Sequence, residues 1–132
     1  MTNKFAPTLT LLLSLGIAVP SIAHHSFAAV FDVSKPVEVS GTVTEVEWMN
    51  PHAWIHLDVE NDKGEIEQWS FELGSPNGLT RRGWSRATIK VGEEIYVSGY
   101  LARDGSQRGN VRSVTLANGQ QLDGMSSRPK TD

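Results

Sequence analysis

Val37-Glu38-Val39-Ser40-Gly41-Thr42-Val43-Thr44-Glu45-Val46-Glu47-Trp48 decides the fold. Val37, Val39 and Val43, with Gly41 between them, alternate with polar residues, the period of a strand that buries one face. The apolar phase then slips to Val46 and Trp48, which predicts one long strand bent by a bulge. Asn50-Pro51 interrupts the pairing. Beyond it Ala53, Ile55, Leu57 and Val59 share one face and Trp54, His56 and Asp58 the other, as in a half-buried second strand. Asn61-Asp62-Lys63-Gly64 supplies a hairpin turn, and Ile66 to Leu73 the return strand, with Trp69 and Phe71 in its composition.

Working outward, Ser75 suits an N-cap, Pro76 a first helical position and Gly83 a helix end, which predicts a short helix of about two turns. Lys90-Val91-Gly92-Glu93 turns the chain into a strand from Glu94 to Leu101. Asp104-Gly105-Ser106 turns it again into a strand from Asn110 to Leu116, with a short closing hairpin through Asn118-Gly119. Three strands, a short helix and two strands is the order of an OB-fold. The expected fold is therefore all-β with one short helix, a small OB-fold-like Greek-key barrel of five to six strands; a plain β-roll is the alternative. Residues 24–36 are expected to form a head segment punctuated by Ser34-Lys35-Pro36, 37–122 the barrel and 123–132 a flexible tail.

The first 23 residues read as a signal peptide, with Lys4 as the basic region, an apolar run from Leu9 to Val19, and small residues at Ser21 and Ala23 before a cleavage point. A bilayer core of about 30 Å needs roughly 20 residues of helix. The run is shorter, so cleavage near Ala23 is expected, giving a periplasmic or secreted protein without a membrane anchor.

The chain has 12 basic and 15 acidic side chains, and loss of Lys4 with the leader brings the net charge from −3 to about −4. Such a balance argues against nucleic acid as partner, because phosphate binding rests on clustered Lys and Arg. The absence of cysteine removes disulfides, thiolate metal sites and lipid attachment.

Histidines fall in two clusters, His24-His25 and His52 with His56. Cleavage before His24 would place a free α-amine beside its imidazole, so that two nitrogens chelate one ion. A second imidazole completes a histidine brace, which suits tetragonal Cu(II). The α-amine loses its proton near pH 7.7–8.0, so its recruitment at neutral pH costs about one proton. Residues four apart on a strand are separated by about 13 Å, so His52 and His56 are not expected to share an ion. His52, at the Asn50-Pro51 break, is the preferred partner of His24; His25 and His56 are secondary, with Asp58 as a possible second acceptor. The plainer reading is that these are surface and packed histidines.

A second candidate surface comprises Trp54, Ser75, Asn77, Arg81, Arg82 and Trp84. A helix start with nearby arginines favours an anion, although a capped helix plugging the barrel would need the same Ser75, Leu79, Gly83 and Trp84. Trp48, Trp54 and Trp69 are likewise readable as a stacking surface or as ordinary strand packing. No Cys nucleophile, Gly-x-Ser-x-Gly elbow, His-Glu-x-x-His or phosphate loop occurs. Glu45, Glu47, Glu65, Glu67 and Glu72 read as solvated strand faces, so no catalytic residue is assigned.

His24-His25-Ser26-Phe27-Ala28, the stretch from Val43 to Trp48 into Asn50-Pro51-His52-Ala53-Trp54, and Gly74-Ser75-Pro76-Asn77-Gly78-Leu79 with Arg81-Arg82-Gly83-Trp84 appear in that order. In this combination the chain resembles DUF6152, a family of small exported bacterial proteins, over about His24 to Leu122. The resemblance implies export and a compact β domain, and no activity. The leading expectation is an exported copper-binding module that carries, buffers or senses the ion. Its rivals are a metal-free barrel that holds a small ligand or an envelope protein, and, more weakly, a copper redox enzyme.

Overall fold

The alternation through the first long strand governs how the barrel is built. The computed structural model describes residues 25–127. Their elements are α1 (His25–Val30), β1 (Phe31–Glu47), β2 (Trp54–Glu60), β3 (Ile66–Glu72), α2 (Pro76–Thr80), β4 (Glu94–Ala102), β5 (Arg108–Thr115) and β6 (Gln121–Asp123). Hydrogen bonding runs β3-β2-β1-β4-β5-β6, and β3 pairs again with β5. The first five strands therefore close on themselves. The closing pair is parallel and short, setting Ser70 opposite Arg108, Phe71 opposite Gly109 and Glu72 opposite Asn110. With α2 between β3 and β4, this is the connectivity of a small OB-like Greek-key barrel, and β6 extends it as an outer hairpin strand.

β1 serves both sides of the ring. Its first part pairs with β4, and its last part with β2, where the register shifts between Val43 and Glu45. The phase slip in the sequence is this bulge. At the crossover a Cβ on Gly41 would lie 2.6 Å from the Asp58 carbonyl oxygen, so the close passage of β1 over β2 requires glycine.

The inward faces supply Val43, Ile55, Leu57, Phe71, Val97, Val111 and Val114, all buried. Burial of each large apolar side chain contributes roughly 1.5–3 kcal/mol. Leu79 and Trp84 join the same core from α2 and the chain after it. Ser75 caps α2 by accepting from Gly78 N, and Pro76 occupies its first turn. The helix is a single turn rather than two. Arg82 N already bonds to Leu79 O and Gly83 N to Thr80 O, and Gly83 takes φ +92° to end the turn.

Two boundaries differ from the sequence expectation. The head carries a second short helix, α1, and β1 begins at Phe31 rather than Val37. Phe31 and Asp32 pair with Ala102 and Leu101, and a register shift absorbs Val33-Ser34-Lys35 before Pro36 rejoins opposite Tyr100. Proline is tolerated next to such an irregularity, where the ladder resumes. The tail is held as far as Ser126: Gly74 N donates to Gly124 O, Gly124 N to Arg112 O and Arg82 Nη2 to Met125 O. The leader, His24 and residues 128–132 lie outside the described residues.

Candidate functional site on the outer face of β2 and β3

Alternation along β2 buries Ile55, Leu57 and Val59 and leaves Trp54, His56 and Asp58 half-exposed on the opposite face. The registers extend that face across the sheet. Trp54 stands opposite Glu47 and Glu72, and His56 opposite Glu45 and Ser70. Ser70 and Glu72 in turn face Arg108 and Asn110 across the closing pair. Directly opposed residues share a face, so a polar band crosses four strands. The β1–β2 and β4–β5 loops border it, and in barrels of this connectivity the β2–β3 face between those loops is a common ligand surface.

One end of the band is a relay. His56 Nδ1 is 2.8 Å from Ser70 Oγ, and His56 Nε2 is 2.7 Å from Glu47 Oε1. Ligand atoms of Glu45, Glu47 and His56 all lie within 4.8 Å of one another. These are donors of the type divalent ions use, but both nitrogens of His56 are already engaged, and an ion would have to displace Glu47.

The other end is centred on Glu72. Its side chain is only 12% exposed, and Oε1 lies 3.3 Å from His52 Nδ1. Asn110 Nδ2 donates to the same oxygen at 3.3 Å and to Ser126 Oγ at 2.6 Å. Burial pushes the Glu72 carboxyl above its ordinary range; the charge of His52, the Ser126 hydroxyl, Arg108 and Asn110 pull the other way. Between the two ends the Arg108 guanidinium lies over the Trp54 ring, 5.2 Å from its centroid. Arg108 Nε and Asn110 Oδ1 are buried without a hydrogen-bond partner among the described residues. Buried polar atoms are nearly always paired, so two orphans beside one band mark it as unusual.

The structure thus sends His52 and His56 to different carboxylates. His24 lies outside the described residues, and His25 is the first residue of α1. The head is tied to the β4–β5 loop, where Arg103 Nε donates to Ala28 O at 2.6 Å and Arg103 N to Val30 O at 2.8 Å. The same loop reaches β3, since Ser70 N donates to Gln107 O. Of the second candidate surface, Trp54 belongs to the band. Arg82 Nη1 bonds Asp123, its Nε donates to Gly78 O, and the buried Trp84 donates to Asp123 O. Ser75 caps α2, while Asn77 and Arg81 are exposed. Surface cavities of about 380 Å³ near Lys90, Glu93 and Leu122, and about 410 Å³ near Ser40, Tyr96 and Thr115, share no residue with the band.

Sequence reasoning left out Ser70, Arg108, Asn110 and Ser126. Alternation along β3 was a usable signal for Ser70 and Glu72, but nothing local links them to residues almost 40 positions on.

The model of a family of unknown function, DUF6152, matches residues 12–112. The chain belongs to DUF6152. No curated protein matches it. The region matched to the DUF6152 model includes every band residue except Ser126.

Proposed function

We propose that this DUF6152 protein is an exported, periplasmic metal-binding module that takes copper through the α-amine and imidazole of His24 with His52, and carries, buffers or senses the ion. The observation that carries the reading is the contact between His52 Nδ1 and the largely buried Glu72. A carboxylate that holds one ring nitrogen fixes the orientation of the ring and leaves Nε2 for an ion, the arrangement common behind metal-bound histidines. Arg103 of the β4–β5 loop holds α1 and Gln107 of the same loop holds β3, which links the head to the strand that carries Glu72. Export supplies the free α-amine on which the chelate rests.

Copper titration of the mature protein, its start at His24 verified by mass, with electron paramagnetic resonance tests this. One tight, nitrogen-rich tetragonal Cu(II) site is expected. His52→Ala, or one extra residue before His24, should weaken binding at least tenfold while the fold persists; unchanged affinity in both variants would sink the proposal. The metal-free alternative is favoured by the orphaned Arg108 Nε and Asn110 Oδ1, polar atoms that a small ligand over Trp54 would satisfy. Retained ligand capture by a Trp54→Ala variant would count against it.

A further inference from the structure

The relay on the band has the parts of a nucleophilic site, and it draws on residues separate from the His24 and His52 set. A carboxylate accepts hydrogen bonds and gives none at neutral pH. Glu47 Oε1, at 2.7 Å, therefore calls for the proton of a neutral imidazole on His56 Nε2. Nδ1 then carries a lone pair, and the hydroxyl 2.8 Å away on Ser70 is its donor. The acceptor-only carboxylate fixes the proton on Nε2, and in the neutral ring this leaves Nδ1 as the acceptor for Ser70. The chain Ser70 O–H to His56 to Glu47 is an alcohol, a base and an orienting acid in hydrogen-bond reach, the arrangement by which an ordinary serine is activated, with the two ring nitrogens in exchanged roles.

Three strands hold these groups. Glu47 ends β1, His56 lies within β2 and Ser70 within β3, with Ser70 N fixed to Gln107 O at 3.1 Å. A nucleophile also needs a donor for the oxyanion. Arg108 stands opposite Ser70 in the parallel register, and its Nε–H is buried with no acceptor among the described residues. A donor without a partner on the residue that faces this serine in the register is the second, independent observation. Trp54 on the same face, half-exposed with Arg108 over one side of its ring, adds apolar surface for an acyl chain.

We infer that Ser70, His56 and Glu47 form a hydrolytic triad, with Arg108 as oxyanion donor, acting on small carboxylic esters that have an apolar acyl group. Ser70 Oγ attacks the carbonyl carbon and its proton passes to His56 Nδ1. The carbonyl electron pair moves to oxygen, to which Arg108 Nε–H donates a hydrogen bond. The tetrahedral adduct collapses, the C–O bond to the alcohol breaks, and the leaving oxygen takes the proton from Nδ1. Water repeats the sequence on the acyl-serine and releases the acid. The net reaction is ester and water to acid and alcohol, with no oxidant or metal. Glu47 is a positioning residue, holding the ring so that Nδ1 faces Ser70.

The test is covalent labelling of the mature protein by an alkyl fluorophosphonate in the presence of EDTA, read by intact mass and peptide mapping, with p-nitrophenyl butyrate turnover alongside. One adduct per chain on Ser70 is expected, absent in Ser70→Ala and slowed at least a hundredfold in His56→Gln, the low end of general-base contributions. Glu47→Gln should lower kcat at least tenfold with KM unchanged, a split that a loss of packing would not give. It also keeps the test open if circular dichroism shows His56→Gln unfolded. No adduct on Ser70 of the folded wild type, labelling at the rate of exposed Ser34 and Ser85, or indifference to Glu47→Gln overturns the triad. EDTA removes copper from the assay, so failure here and failure of the metal reading are separate results.

Discussion

Glu72 shows how a single side chain takes its character from the closing of the ring. Alternation alone makes it one more outward carboxylate, and sequence reasoning treated it so. Only the β3–β5 pair brings Asn110 and Arg108 to it and only the tail adds Ser126, which together with His52 leave it 12% exposed. Folding raises its pKa above the ordinary 4.5. The native state therefore holds the proton more tightly than the unfolded chain does. The associated stability is present below pH about 4.5 and is lost as pH rises through the raised value. Replacing Glu72 by Gln removes that dependence. Chemical denaturation should show the stability of the wild type, relative to Glu72→Gln, falling as pH rises from about 4.5 through the raised value; a rising difference would mean that ionic partners outweigh burial. The same non-local closure explains why the site was half legible. His52, His56 and Trp54 announce themselves by type and spacing, whereas Ser70 and Glu47 have nothing local to connect them to His56.

At the level of elements, strands with one clean buried face were readable because side-chain period reports burial directly. The bulge near Thr44 was visible as a slip of phase, and the hairpin at Asn61 to Gly64 by its turn residues. Helix α1 was not, because its six residues are too few to be stable alone, and it exists by tertiary contact. Phe27 packs on Phe31 and edge-on to Tyr100, and Arg103 clasps Ala28 O and Asp32. If those contacts hold the head, Arg103→Ala should raise amide exchange in residues 27–30 at least tenfold, while β2 and β3 exchange as before. Hydrogen exchange followed by mass spectrometry measures both. Equal protection in the variant would assign the hold to the aromatic cluster alone, which Phe27→Ala then isolates.

Across the whole molecule, the ring is closed by three residue pairs and then strapped. Residues after β6 cross the barrel wall so closely that a Cβ on Gly124 would lie 2.6 Å from Val111 Cγ1 and 2.8 Å from Leu73 Cδ2. From this strap Gly124 O accepts from Gly74 N, Met125 O accepts from Arg82, and Ser126 Oγ accepts from the fully buried Asn110. Each such bond is worth about 1 kcal/mol net, and the core beneath loses cover as well. Deleting residues 124–132 should therefore leave the five-stranded ring intact but cost about 3 kcal/mol. For a domain of this size that corresponds to a fall in Tm of roughly 15 °C, at about 4–8 °C per kcal/mol. Thermal unfolding followed by circular dichroism reads it. A shift of only a few degrees would show that the closing pair alone carries the ring. A larger one would place the strap among the parts that set the geometry of Asn110 and Glu72, so that the truncated protein should also lose the His52 contact and, with it, the copper affinity proposed above.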